Sequence, residues 1–258
     1  MNEAVKSFNI LGVKIHPVDM DASIAAFEKI IESEDEKVYT GAMGVAGIME
    51  ANRNERMRRI LNRSYLNTAD GMPLVWIGKL LGHKEIARVY GPDLMRDVCS
   101  YSADKGWGHY LYGGGPGLAE KLEKRLKEKN PGIKISGRYT PPFRELNDEE
   151  AADLIEQVGK VKPDILWIGI STPRQLYFME EFLPKLDVKI ICAVGYAFDV
   201  NADVKKDAPD WMKKSGLQWL HRAITDPRLW KRYLRDNPLF IWLVLLQWLR
   251  LKKFPIDE

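Results

Sequence analysis

Two stretches of the sequence carry residues suited to chemistry. In YGGGPG, residues 112–117, successive glycines let backbone amides close on a diphosphate while the helix that follows offers its positive end. The same pattern also serves as a tight turn between a strand and a helix. In LNTADGMPLVW, residues 66–76, one carboxylate, Asp70, ends a short apolar run just before a Gly-Met-Pro that reads as a helix start. Parallel sheets bind ligands at the carboxyl ends of their strands. That rule singles out Thr40 to Gly44, Asn67 to Gly71, Gly113 to Gly117 (with Gly114 and Gly115) and Gly169 to Gln175. Arg174 and Gln175 fall in the first turn of a helix after WIGIS, where polar side chains either reach a nucleotide or sugar or simply face solvent. Asp199, in GYAFDVNAD, follows the last strand and either orients a neighbouring loop or binds a sugar hydroxyl.

Other chemistries lose their main support. YGGGPG is not a Gly-x-Gly-x-x-Gly fingerprint and has no acid placed for a ribose, which disfavours NAD; no cofactor is expected. His16, His83, His109 and His221 lack metal-ligand spacing. The one Asp-x-Asp, Asp19 and Asp21, precedes an amphipathic helix, which favours helix capping over a metal on a nucleotide diphosphate. There is no Gly-x-Ser-x-Gly elbow, no phosphate-loop Gly-Lys-Ser/Thr and no Cys/His pair with local support. Cys99 and Cys192 stand far apart in apolar contexts, as reduced core thiols do.

The elements that must hold these residues alternate. With 258 residues, 45% apolar and 29% charged, the chain can bury a substantial core. FNILGVKI reads as a strand and DMDASIAAFEKIIES as a helix capped by Asp19 or Asp21. KVYTGAM, YLNTA, GHYLYG, IKISGRY, PDILWIG and VKIICAV read as further strands. Helices are expected over about 44–62, from Gly71 or Met72, over about 92–104, after the glycine loop, after Asn147 as cap, and after Thr172 as N-cap with Pro173 at the first helical position. Apolar strands alternating with helices imply an α/β fold: a Rossmann-like, mostly parallel sheet with helices on both faces, over residues 1–210.

Residues 211–258 form a different segment. They hold ten Lys and Arg against four Asp and Glu in a chain of net charge +3, and five of the eight tryptophans, Trp211, Trp219, Trp230, Trp242 and Trp248. Pro227 and Pro238 are expected to divide this helical appendage into three pieces. Basic residues among Trp and Leu suit nucleic acid or a membrane surface. The unbroken LFIWLVLL argues against nucleic acid, yet is far short of the ~20 apolar residues of a bilayer span. The segment therefore reads as a helix lying in the interface. MNEAVKSFNILGVKIHP has no apolar stretch after a basic start, so the expectation is a protein kept in the cytosol, peripheral to the cytoplasmic face of the membrane.

The stretches NTADGMPLVW, RVYGPDLM, LYGGGPGLAEKLEKRLKEKNPGIKISG, WIGISTPRQLYFME and VGYAFDVNADVKKDAPDWMKKSGLQWLHRAITDPRLWKRYLRDNP resemble, in order and spacing, the WecG/TagA/CpsF glycosyltransferases over roughly residues 8–240. The resemblance implies inverting, metal-independent transfer of a hexosyl residue, N-acetylmannosaminyl or glucosyl, from a UDP-sugar to a polyprenyl-diphosphate-linked sugar, in cell-envelope polysaccharide or exopolysaccharide synthesis. By position it makes Asp70 the general base, and aligns Thr40 and Gln175 with donor-binding residues. Arg222, Arg228 and Arg232 match arginines of an appendage thought to fold over the site, where they would neutralise the leaving diphosphate. Two positions depart from the family pattern: Ala42 replaces an asparagine and Leu176 a glutamate, both expected to line the sugar pocket, so donor choice is open. The rival reading is a non-catalytic, membrane-attached nucleotide-sugar sensor or scaffold. Self-association into a homo-oligomer also stays open.

Overall fold

The computed structural model describes residues 6–256. The first residues of the stretch read above for a leader, and Asp257 and Glu258 of the basic segment, lie outside the described residues. In chain order the elements are β1 (Phe8–Ile10), β2 (Val13–Ile15), α1 (Met20–Glu32), β3 (Val38–Met43), α2 (Val45–Arg53), α3 (Glu55–Asn62), β4 (Leu66–Ala69), α4 (Met72–Leu80), α5 (Gly91–Ser102), β5 (Gly108–Gly113), α6 (Leu118–Lys129), β6 (Lys134–Tyr139), α7 (Asp148–Val161), β7 (Ile165–Gly169), α8 (Arg174–Phe182), β8 (Ile190–Ala193), α9 (Ala197–Asn201), α10 (Asp210–Lys214), α11 (Gln218–Thr225), a 3-10 turn (Pro227–Leu229) and α12 (Trp230–Trp248). The six-stranded sheet has the order β4-β3-β8-β7-β5-β6. Internal contacts divide the chain into two units: Met1–Met20, Ala42–Tyr90 and Asp207–Glu258 form the first, Asp21–Gly41 and Gly91–Lys206 the second.

In the second unit the pairings of β3, β8, β7, β5 and β6 are all parallel. β5, β7 and β8 bury every residue but Gly169. Successive side chains point to opposite faces, so burial at every position means that both faces of these strands are covered, as their unbroken apolar runs require. From β5 the chain passes to β6 on one side and returns through α7 to β7 on the other, so the strand order reverses between β5 and β7. Loops leaving two such strands diverge and leave a crevice between them. The Asn147 side chain caps α7 by accepting from the Glu150 N–H (2.8 Å), and Glu150 accepts from the Asn147 N–H (2.9 Å). Cys99 and Cys192 are buried free thiols, and burial pushes Cys192 up to about 12. His109 accepts the Trp167 Nε1–H at Nδ1 (3.0 Å) and therefore donates from Nε2 to Ser102 (2.7 Å); burial lowers its pKa to about 4.

In the first unit three expectations are corrected. FNILGVKI is not one strand: Leu11 and Gly12 both have positive φ (51° and 87°), which folds the stretch into the antiparallel hairpin β1/β2. The helix expected over 44–62 breaks at Asn54, whose side chain leaves α2 and caps α3 by accepting from the Met57 N–H (3.1 Å). Pro238 does not divide the carboxyl-terminal segment, because α12 runs through it. Pro238 and Leu234, whose carbonyl loses its i+4 donor, both lie on the exposed side, so the lost hydrogen bond is not buried. In the second unit, Thr172 does not cap α8, which starts at Arg174 with Pro173 at the cap position.

α12 is fastened to α2 by charge. Asp236, 2% exposed, accepts from Arg53 Nη2 (2.5 Å) and from Arg235 Nε (2.8 Å). Burial alone would raise its pKa, but the two guanidiniums overcome that and hold it below the ordinary carboxylate value. The sign follows: a depressed folded-state pKa adds stability above the unfolded value of about 4, lost as pH falls through the folded one. Asp236→Asn is expected to cost about 1.5–3 kcal/mol at pH 7 by chemical denaturation, a deficit that shrinks below about pH 4.

Candidate active site

The glycine loop and the Gln175 loop meet at the reversal point of the second unit. Gly113 and Gly169 end β5 and β7 side by side, with the Gly114 N–H donating to the Gly169 carbonyl (3.1 Å). A Cβ on Gly113 would stand 2.6 Å from the Gly169 carbonyl carbon, and Gly113 has a φ of +140°, so only glycine fits. Gly115 is different: a Cβ there meets nothing within 4 Å. α6 starts just after, capped at Gly117 by no side chain, which leaves the positive end of a twelve-residue helix at the end of the glycine loop.

Two polar groups there lack partners. Among the described residues, five buried side-chain polar atoms have no hydrogen bond, and four belong to residues that the sequence assigned to substrate: Thr40 Oγ1, Asn67 Oδ1, Gln175 Oε1 and Arg232 Nε. Such atoms are uncommon in native proteins and call for a ligand or a strained role. Thr40 stands opposite Cys192 in the β3/β8 register, and Gln175 Oε1 lies 3.5 Å from where a Cβ on Gly195 would be, so both border the exit of β8. Gln175 Nε2 is held by Thr172 Oγ1 (3.0 Å).

The other assigned residues of this unit have structural partners. Arg174 Nη2 donates to the carbonyls of Pro142 (3.1 Å) and Arg144 (2.5 Å), which pins the proline loop after β6. Asp199 pairs with Lys205 (3.1 Å). Leu176, 1% exposed, belongs to the core rather than to a pocket lining.

In the first unit Asp70 follows β4 and is partly exposed. Its N–H donates to the Met43 carbonyl (2.8 Å), and its carbonyl accepts from Arg88 Nε (2.7 Å). The carboxylate lies over Gly44, with Oδ2 3.6 Å from where a Cβ would stand. Segment 87–90 runs alongside because the Val89 N–H donates to the Ala69 carbonyl (2.9 Å). That brings up Tyr90, whose hydroxyl donates to Asp207 (3.0 Å). The phenol pKa is raised, first by burial and then by the negative charges of Asp70 and Asp207, with Arg222 opposing. Asp70 and Arg222 thus both act on this phenol through charge.

Of the three other assigned residues of this unit, Asn67 and Arg228 are spent on protein partners. Asn67 is fully buried, its amide donating to the Lys14 (3.0 Å) and Leu61 (2.6 Å) carbonyls and its N–H to His16 Nδ1 (2.8 Å), so it holds the fold around β4 rather than a substrate. Burial of His16 lowers its pKa to about 4. Arg228 is spent on Asp226, with Nε and Nη2 each 2.8 Å from its carboxylate. The Arg232 guanidinium lies over the Tyr233 ring (5.2 Å). Sequence reasoning missed Arg88, Tyr90, Asp207 and Gln218. They lie in the quoted stretches RVYGPDLM and DAPDWMKKSGLQWL, but nothing local marks a contact across more than a hundred residues.

The sequence matches the description "Glycosyl transferase WecG/TagA/CpsF family" over residues 8–254. The chain belongs to this family. It is 27% identical over 199 residues, 76% of this chain and 74% of the relative, to an N-acetylglucosaminyldiphosphoundecaprenol N-acetyl-beta-D-mannosaminyltransferase of Bacillus spizizenii (strain ATCC 23059 / NRRL B-14472 / W23). It is 25% identical over 175 residues, 68% of this chain and 66% of the relative, to a protein of the same description from Bacillus subtilis (strain 168). This chain is thus a glycosyltransferase.

Whether the glycine loop of this glycosyltransferase is a turn or also a diphosphate cradle is separable by substitution. Gly113→Ala is expected to destabilise by about 1–3 kcal/mol from backbone strain alone. Gly115→Ala should leave the melting temperature unchanged and weaken UDP binding by titration calorimetry; unchanged UDP affinity would reduce the loop to a turn.

Proposed function

We propose that this glycosyltransferase moves a hexosyl residue, N-acetylmannosaminyl or glucosyl, from a UDP-sugar to a polyprenyl-diphosphate-linked sugar at the cytosolic face of the membrane, with inversion at the anomeric carbon. Asp70 is the base. It takes the proton of the acceptor hydroxyl as that oxygen bonds to the anomeric carbon, while the bond to UDP breaks on the opposite side and the electron pair leaves with the diphosphate. The observation that carries this reading is the presentation of Asp70: its N–H and carbonyl are both bonded, so the strand end is fixed, while the side chain stands over a glycine and is partly open to solvent. The Gly113–Gly115 loop, Thr40 and Gln175 are assigned to the donor. Arg222 and Arg232 are assigned to the leaving diphosphate, Arg222 on its charge interaction with the Tyr90 phenol and Arg232 on its unbonded Nε. Both relatives are named for a diphosphoundecaprenol acceptor, which supports a lipid-linked acceptor here.

Membrane attachment is assigned to the first unit. No helix among the described residues is long and apolar enough to cross a membrane. On α12, Tyr233, Asp236, Phe240 and Leu243 face inward, while Ile241, Trp242, Leu245 and Trp248 are exposed. α4 adds Trp76 and Leu80, the latter 85% exposed, a contribution that the sequence did not single out. Apolar side chains held out to water on a basic segment fit an interfacial helix.

Two measurements test the proposal. In a UDP-release screen over nucleotide-sugars with a short-chain diphospholipid sugar acceptor, release should require the acceptor and be unaffected by EDTA; UDP binding without release would favour the scaffold. Trp242→Glu with Trp248→Glu should weaken sedimentation with anionic vesicles by about tenfold or more, each buried Trp contributing about 1.5–3 kcal/mol, and leave UDP affinity unchanged; undiminished sedimentation would remove α12 from the membrane role.

A further inference from the structure

Behind the base in the first unit lies a connected set of side chains with no assigned contact to substrate. Arg88, whose Nε donates to the Asp70 carbonyl, is bonded through Nη2 to Gln218 Oε1 at the start of α11. Its guanidinium lies over the ring of Tyr90, 4.3 Å from Cζ to centroid. A planar fork held at two corners and across one face has little freedom left. Tyr90, 3% exposed, passes the connection on through its hydroxyl to Asp207 Oδ1. The same oxygen accepts the Ala208 N–H (2.8 Å) and, at 3.5 Å, Gln218 Nε2. Asp207 Oδ2 pairs with Lys213 of α10 (3.2 Å), both side chains less than a fifth exposed (19% and 17%). Gln218 therefore reaches the base loop through Arg88 directly, and Asp207 reaches it through Tyr90, whose ring backs the same guanidinium.

We infer that Gln218 and Asp207 are positioning residues for the transfer step: through Arg88 and Tyr90 they lock the backbone of Asp70 to the helices α10 and α11, so that the carboxylate is presented in one orientation. This rests on the reading of Asp70 as the base. Both act through other side chains rather than on the substrate in this reading. They act on rate because a base must sit within hydrogen-bond reach of the acceptor hydroxyl, and a shift of about 1 Å there costs on the order of a hundredfold.

The test uses the full chain. Gln218→Met keeps the size of the side chain but removes the acceptor for Arg88. It should lower kcat by about 10- to 100-fold, with KM for both substrates within about twofold of wild type and an unchanged melting temperature. Gln218→Glu keeps the acceptor oxygen and should regain most of kcat. Asp207→Leu should lower kcat in the same way, and Asp207→Asn, which still accepts from Tyr90 and Ala208, much less. In an Asp70→Asn background Gln218→Met should have no further effect, because it acts through the carboxylate. Wild-type kcat in Gln218→Met, a loss that Gln218→Glu does not restore, or an equal loss in the Asp70→Asn background would each overturn the inference. Wild-type rates in Asp70→Asn alone would instead remove the base reading, so the two failures are told apart.

Discussion

A carboxylate that serves as a base must be held where it can reach the acceptor hydroxyl, and its backbone is one means of holding it. Asp70 meets that constraint with both of its peptide groups: the N–H goes to Met43 and the carbonyl to Arg88. The rest of the first unit can be understood from there. Residues 87–90 must run beside β4 to deliver Arg88. α10 and α11 must dock to satisfy the second arm of that guanidinium, and Tyr90 must be buried for its hydroxyl to reach Asp207. Further out, Asp236 fastens α12 to Arg53 of α2. Each link is a charge-assisted or buried hydrogen bond, the kind whose partners are costly to leave unpaired.

The second unit solves a different problem, the close approach of backbone to ligand. Parallel strands bring their carboxyl ends to one edge, and the strand order reverses between β5 and β7, the place where open parallel sheets bind ligands. Gly113 and Gly169 allow the two strand ends to touch, while Gly115 stands beside open space. Thr40 and Gln175 bring unbonded oxygens to the exit of the neighbouring strand β8. Unsatisfied polar atoms and glycine backbone at a strand edge suit the diphosphate and hydroxyls of the proposed nucleotide-sugar donor.

What could be read from the sequence was whatever is written in short-range pattern. The alternation of apolar strands and helices, the Asn147 cap, the helix start at Gly71 or Met72 and the glycine loop each depend on residues a few positions apart, and all are found. Breaks were harder to read. The Leu11-Gly12 turn depends on a leucine in a left-handed conformation, which its apolar context disguises, and Asn54 could as well have been a surface residue in one long helix. Pro238 reads as a break because proline removes a helix donor, and which side of α12 faces water is not written in the sequence. At the site the divide is the same. Asp70, Thr40 and Gln175 stand where strand-end rules put them, whereas Asn67 looked like a site residue and is spent on the interior. Arg88 to Gln218 and Tyr90 to Asp207 span more than a hundred residues, a separation that no local pattern announces.

The most direct test of this account is Asp70→Asn, which keeps the shape and the backbone bonds of the strand end and removes only the basicity. Transfer to the lipid-linked acceptor should fall by about 10²- to 10⁴-fold while the dissociation constant for UDP stays at the wild-type value. Turnover at the wild-type rate in that variant would contradict the account at its centre.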